Sequence, residues 1–173
     1  MIKAELGSGF HPDPNYNIHI DINPKCPQLD YIHSVDNLPM FEDNSVDEAR
    51  ACDVLEHFSY RDTIRVLTEW HRILKPGGKI YIQCPNAKLL AQRWLNNDLP
   101  TMNGMPIDYS ASYWIMGGHN DGVFAKDDES WRFNAHYTLF SEDSLRFYLE
   151  KVGFKNIDIG GDGGSNLVCW AYK

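Results

Sequence analysis

The chain has 173 residues, which fits one domain able to bury roughly 70% of the surface its unfolded form exposes, so no disulfide or metal staple is required. Lys plus Arg at 16 against Asp plus Glu at 24 gives a net charge of −8, which repels the phosphate backbone of duplex DNA or long RNA and argues against a nucleic-acid partner. Cys26, Cys52, Cys84 and Cys169 lack C-x-x-C spacing, and no run approaches the ~20 apolar residues of a membrane span, so a disulfide framework, a zinc knuckle and a membrane partner are not expected. Met1-Ile2-Lys3 leads straight into a strand-like run without an apolar leader, so a cytoplasmic protein with reduced thiols is expected.

Short β-like runs come first: Ile2 to Leu6, Asn17 to Asp21, Tyr31 to Ser34 and Ser45 to Cys52, divided by Pro, Asn and Asp turns. The intervals between the first three are too short for long helices. A helix follows from about Tyr60 to Leu74, with Ser59 as N-cap, Ile64, Leu67, His71 and Leu74 at helical spacing, and Pro76-Gly77-Gly78 as its stop. Lys79 to Cys84 reads as a strand. Asn86 caps a second helix to about Leu95, with Ala87, Leu90, Ala91 and Trp94 on one face.

Periodicity is lost from 96 to 137, a segment rich in aromatic residues (Tyr109, Tyr113, Trp114, Phe124, Trp131, Phe133), and its length suggests a substrate or lid loop. Ser141 then caps a third helix through Leu145, Tyr148, Leu149 and Val152 to Gly153. Phe154 to Ile159 and Asn166 to Tyr172 form a closing hairpin. The expected organisation is one domain over 1–173, with a cofactor-binding half at 1–84, the long loop at 96–137, and the closing helix and hairpin at 138–173.

Chemistry is concentrated in Glu5-Leu6-Gly7-Ser8-Gly9, a glycine turn leaving the first strand, followed twelve residues after Gly9 by Asp21 at the tip of the second. In doubly wound folds, such a turn approaches a nucleotide closely and such a carboxylate binds its ribose. An ordinary glycine turn between strands is the competing reading. A dinucleotide fingerprint would carry a third glycine where Pro12 stands, which weakens a nicotinamide oxidoreductase.

Further along come Leu38-Pro39-Met40-Phe41-Glu42-Asp43-Asn44-Ser45-Val46-Asp47, then Leu55-Glu56-His57, then Arg72-Ile73-Leu74-Lys75-Pro76-Gly77-Gly78. With the acidic glycine turn, this ordered series resembles the methyltransferase type 11 group of class I S-adenosylmethionine (SAM) dependent methyltransferases. It is similar in particular to compact methyltransferases encoded in surface-polysaccharide gene clusters, on Met116-Gly117-Gly118-His119 and Asn134-Ala135-His136-Tyr137. The resemblance implies an α/β, Rossmann-like fold: a mostly parallel seven-stranded sheet with an antiparallel last strand and reduced helices after the first strands.

It also implies SAM as cofactor, with S-adenosylhomocysteine as product. Glu5, Gly7, Ser8 and Gly9 would hold the methionine moiety, Asp21 the ribose, and Ser34, Val35 and Asp36 the adenine. Cys52 and Asp53 would flank the sulfonium. Family members often carry an acidic residue where Ser34 stands, and Asp36 can substitute.

Methyl transfer is an in-line displacement, so the enzyme supplies alignment and, for a hydroxyl acceptor, a base. His136 and His57 are the candidate catalytic residues. The alternatives are that Leu55-Glu56-His57 only orders a helix start and that His136 packs in a loop. His119 touches substrate or is solvated, and the aromatic residues either stack on an acceptor or form the loop's own core. A metal site from His119, His136 and carboxylates has no recognisable ligand spacing, so none is expected.

The expected activity is methyl transfer to a small molecule, with a sugar, nucleotide sugar or glycan-precursor hydroxyl as acceptor. The alternative is a non-catalytic protein of the same fold that holds SAM or a related nucleoside. DNA amino-methylation is weaker, because Cys84-Pro85-Asn86 replaces the Asn/Asp-Pro-Pro-aromatic sequence of such enzymes. The sequence carries no signal for oligomeric state.

Overall fold

In the computed structural model, which describes residues 1–101, 104–117 and 134–173, the strand-like runs assemble into one seven-stranded sheet. Its strands are β1 (Lys3–Leu6), β2 (Ile18–Asp21), β3 (Tyr31–Ile32), β4 (Val46–Cys52), β5 (Leu74–Pro85), β6 (Lys155–Gly161) and β7 (Asn166–Tyr172). Their order is β3-β2-β1-β4-β5-β7-β6. The first five strands pair in parallel, and β7 lies antiparallel between β5 and β6. This is the sheet that the resemblance implies. The strand order reverses between β1 and β4, and open α/β sheets bind ligands beyond the strand C-termini at such a point.

The chain returns from β1 to β2, β2 to β3 and β3 to β4 without a helix in 7–17, 22–30 or 33–45. Later connections carry α1 (Thr63–Ile73), α2 (Ala87–Leu95), α3 (Ile107–Met116) and α4 (Glu142–Val152). Helices α1 and α4 pack on each other and close the main core around Leu6, Ile20, Ala49, Ile80 and Ile82. A parallel sheet usually has helices on both faces. Here alternate residues of β1, β4 and β5 instead make a polar array: Glu48 bonds the Tyr16 hydroxyl at 3.0 Å and pairs with Lys3 at 3.4 Å and Lys79 at 3.3 Å.

Several local expectations change. Helix α1 starts at Thr63 and has Asp62, not Ser59, at its N-cap position; Asp62 N donates to the Ser59 carbonyl in the preceding turn. Its buried stripe is Thr63, Val66, Leu67, Trp70 and Ile73, with Ile64 exposed, because Trp70 has the largest apolar surface to bury and its indole N–H bonds the Val35 carbonyl at 2.8 Å. Leu74 passes directly into β5, so Pro76-Gly77-Gly78 is an irregularity within that strand and not the helix stop. The segment 96–137, aperiodic in sequence, contains helix α3, with Pro106 at its N-cap position and a small second core of Leu90, Leu99 and Ala111 against α2. Gly118, His119, Phe124, Trp131 and Phe133 lie outside the described residues.

Other caps match expectation: Asn86 accepts from Leu89 N, Ser141 accepts from Ser144 N, and Gly153 ends α4 in the left-handed region. Of the face predicted for α2, only Leu90 is buried, and Trp94 is exposed with its indole on Asp108 at 2.9 Å. No helix among the described residues is long and apolar enough to cross a membrane.

Arg72 shows why a basic residue precedes the Leu-Lys-Pro-Gly-Gly run. Its guanidinium grips Glu69 through two bonds of 2.7 and 2.8 Å and donates to the carbonyls of Leu38 and Phe41 at 3.1 and 3.0 Å. Glu69 in turn accepts from Leu38 N at 2.6 Å. The 38–43 loop is thereby fixed to α1.

Arg72→Ala is expected to destabilise the protein by about 1–3 kcal/mol in urea unfolding followed by tryptophan fluorescence, because partly buried carbonyls lose their donor. Arg72 also holds the Glu69 carboxyl below its usual range. With the folded value below the unfolded one (about 4.3), that stabilisation is complete above the unfolded value and disappears as pH falls through the folded one. The stability gap between wild type and Arg72→Ala should therefore narrow in acid, and a constant gap from pH 7 to pH 3 would contradict the assignment.

Candidate active site

At the C-terminal end of β1 the chain turns sharply through Gly7, Ser8 and Gly9. Gly7 N and Ser8 N both donate to the Ile20 carbonyl, at 2.8 and 3.0 Å. Gly9 N donates to Asp21 Oδ2 at 2.8 Å, while Asp21 Oδ1 takes Asn23 N at 2.8 Å. Gly7 is required twice over: its φ is +76°, and a Cβ there would stand 2.4 Å from Val54 Cγ2. The turn is thus bound to the end of β2 and pressed against Val54, two residues beyond β4.

Glu5 is almost wholly buried. One carboxylate oxygen pairs with Arg50 and the other takes Asp13 N at 2.8 Å and His19 Nδ1 at 2.9 Å. It therefore secures the 7–17 loop from beneath. Ser34 donates to Asp36 Oδ1 at 2.5 Å, and Asp36 pairs with Arg65 at 2.8 Å. Burial pushes the Asp36 carboxyl up, but Ser34 and Arg65 outweigh it and hold the group below its usual range. Val35 is buried.

The donor set at this end fits the cofactor that the resemblance implies. Ser8 Oγ is buried without a hydrogen-bond partner among the described residues. Nothing lies within 4 Å of where a Gly9 Cβ would be, so backbone approach is open there. Asp21 offers about four lone-pair sites, more than its two backbone donors use.

Beyond β4, Asp53 takes a positive φ and its carboxylate accepts from Gln83 Nε2 at 3.2 Å. Burial pushes the neighbouring Cys52 thiol up to about 12, which keeps it neutral. A single 3-10 turn, Leu55–His57, follows. The 134–140 segment is fastened to that turn: Tyr137 N and Thr138 N donate to the Glu56 carbonyl at 2.8 and 3.2 Å, and Thr138 Oγ1 to the Phe58 carbonyl at 2.6 Å. His136 also meets the C-terminal end of α3, donating from its backbone N to Met116 O at 2.9 Å and from Nδ1 to Ile115 O at 3.1 Å.

The two candidate histidines thus come together, with ring centroids 5.2 Å apart. His57 Nδ1 donates to the Ala135 carbonyl at 3.1 Å. In both rings a bond to a carbonyl requires Nδ1–H, which in a neutral ring leaves Nε2 as the lone-pair nitrogen. Burial outweighs the nearby carbonyls and Asp53 and lowers the His57 pKa, so the ring is neutral. Glu56, between them in the wall, is buried with both carboxylate oxygens lacking a hydrogen-bond partner among the described residues. Burial pushes its carboxyl well above the usual range.

These groups line a pocket of about 300 Å³ together with Asp53, Tyr113, Trp114, Asn134, Ser165 and Asn166. Glu5, Gly7, Ser8, Gly9 and Asp21 form a neighbouring cluster at the C-terminal ends of β1 and β2, next to β4 in the sheet. Glu56 carries no distinct signal in the sequence, because Leu55-Glu56-His57 is equally a helix-start pattern. Ser165 and Asn166 had no signal at all, since a hairpin's approach to the pocket is a tertiary event.

The family model for the methyltransferase domain matches residues 12–159, from just beyond the glycine turn to β6. No protein of curated function matches the sequence at a significant level. The fold is similar to a SAM-dependent methyltransferase from Thermotoga maritima, with a TM-score of 0.66 and 18% identity over 99% of this chain and 82% of that one. Similar likenesses hold to SAM-dependent methyltransferases from Archaeoglobus fulgidus (0.64, 14%, 99% and 85%) and Methanosarcina mazei (0.61, 19%, 99% and 91%). With a sheet order, a glycine turn and a family match that agree, the chain belongs to the methyltransferase domain family and is a SAM-dependent methyltransferase of Rossmann-like fold.

Proposed function

We propose that this methyltransferase acts in the cytoplasm on a hydroxyl of a small sugar, nucleotide sugar or glycan precursor. The observation that supports the reading is the pocket beyond β4 and β5, whose lining includes two aromatic side chains, two histidines and an Asp. Tyr113 and Trp114 offer ring faces of the kind that sugars stack on, while Asn134, Ser165 and Asn166 offer hydroxyl partners. The net charge of −8 favours an uncharged acceptor over a nucleic acid.

SAM, when bound, supplies an electrophilic methyl group on a sulfonium. Gly7, Ser8 and Gly9 are proposed to receive its methionine part, with Glu5 acting beneath them by holding the loop. Asp21 is assigned to the ribose and the Ser34 to Asp36 turn to the adenine. Cys52 and Asp53 lie at the β4 exit between cofactor and acceptor. In the acceptor pocket, Nε2 of His136 or of its neighbour His57 would take the hydroxyl proton, while the methyl group passing to that oxygen would part from the sulfur and leave neutral S-adenosylhomocysteine. The whole chain from 1 to 173 works as one unit in this scheme, with 134–140 forming the acceptor wall.

Asp21→Ala should weaken SAM binding in calorimetric titration by about 1–3 kcal/mol, the usual cost of a lost charge-assisted bond. Unchanged affinity would remove Asp21 from the ribose. Gly7→Ala should lower stability by about 2–4 kcal/mol, since the Val54 clash and the positive φ act together. Methyl transfer to a panel of nucleotide sugars, read by S-adenosylhomocysteine release, tests the acceptor class. Turnover is expected on at least one member and should fall about 100-fold or more in His136→Asn. SAM binding without turnover on any of them would instead favour a cofactor-binding module.

A further inference from the structure

The geometry points to a divalent transition-metal site formed by Glu56, His57 and His136. The three residues are brought together across nearly 80 positions of sequence, and one ligand atom from each lies within 4.8 Å of the others. Zinc-type bonds of about 2.0–2.2 Å place adjacent donors about 3.3 Å apart, so each side chain needs to close by only about 1 Å.

Two independent observations point to a cation. The first is Glu56, whose carboxyl is buried with neither oxygen in a well-formed hydrogen bond among the described residues, the backbone N–H groups of Val54 and Glu56 itself giving it only weak support. A buried polar group left in that state costs stability, and an ion held at its oxygens removes the cost. The second is how the imidazoles are held. His57 Nδ1 is bonded to Ala135 O and His136 Nδ1 to Ile115 O, at 3.1 Å each. That outer bond to a backbone carbonyl is what orients a metal-binding histidine and presents Nε2 as the ligand nitrogen.

Gly117 reinforces the placement: a Cβ on it would stand 2.0 Å from Asn134 O and 3.1 Å from His136 Cδ2, so only glycine lets the end of α3 seat His136 this closely. Two imidazoles with one carboxylate select a borderline ion such as Zn²⁺, Fe²⁺ or Co²⁺ over Mg²⁺ or Ca²⁺, which prefer all-oxygen sets. Three protein ligands leave a coordination position open, and all three line the acceptor pocket. The ion would thus stand as a Lewis acid beside an entering hydroxyl. It would occupy the Nε2 lone pairs assigned above to proton transfer, so metal and free base are alternatives at one place. The site shares the acceptor pocket but does not depend on which acceptor enters it.

The test uses tag-free full-length protein without SAM or acceptor, titrated with Co²⁺ and read by its visible d–d absorption, then with Zn²⁺ in competition with a chromophoric chelator. One ion per chain is expected, with a low-symmetry Co²⁺ spectrum. Glu56→Gln keeps the side-chain shape and should weaken binding at least 10-fold. His57→Asn and His136→Asn should abolish it, since an Asn amide can replace the Nδ1 bond but not Nε2. His11→Asn, on the exposed 7–17 loop, should bind as wild type does. Absence of stoichiometric binding by folded wild type overturns the proposal, and so does equal binding by wild type, Glu56→Gln and His136→Asn. Either result leaves methyl transfer and its acceptor class to be judged by the turnover assay alone.

Discussion

Two backbone hydrogen bonds to one carbonyl fix the wall of the pocket beyond β4. The Glu56 carbonyl receives Tyr137 N and Thr138 N, so the segment before α4 lies along the turn that leaves β4. Ala87 N on the Phe140 carbonyl and the Asn86–Phe140 bridge continue the attachment to the end of β5. Because β4 and β5 both end here, the added segment covers the C-terminal edge of the sheet, where open α/β folds place their ligands. His136 meets His57 as a consequence. Without that attachment a histidine 79 positions further along the chain would have no reason to face the β4 exit.

The early half solves a different problem. Loops replace helices between its first strands, so among the described residues no helix from these connections covers the sheet face that Glu5, Glu48 and Arg50 occupy. Charge takes the place of apolar packing there. Glu5 ties Arg50, His19 and the Asp13 backbone together, and Asp21 ties Gly9 to Asn23. A buried carboxylate with several donors is strongly held, and losing one of them leaves an uncompensated charge. The glycine-turn end of the sheet is therefore a loop braced by acids. Asp21 combines two tasks there, since the oxygen that holds Gly9 in place belongs to the group assigned to ribose.

Much of this architecture was legible beforehand. The strand runs, the helix ending at Gly153 and the cap residues Asn86 and Ser141 follow from local rules that act within a few residues. The ordered motifs from Glu5 to Gly78 carried the fold class and the cofactor. Less legible was α3, whose Ile107–Met116 run is apolar on too many sides to show a stripe and is stabilised by Leu90 and Leu99 from outside. The inward stripe of α1 was also displaced, because burial of Trp70 outweighed the spacing of Ile64 and His71.

The amino-acid sequence by itself determined the seven-stranded α/β sheet, the glycine turn with its acidic partner at Asp21, and the membership in a methyltransferase family, because each rests on short-range pattern and motif order. Only the tertiary structure decided that Glu56, His57 and His136 form one cluster and that Glu5 is spent on Arg50 and the 7–17 loop. Local propensity acts over a few residues. Contacts spanning 45 or about 80 positions, as from Glu5 to Arg50 or from His57 to Ala135, are set by sheet order and backbone pairing, which no local pattern encodes.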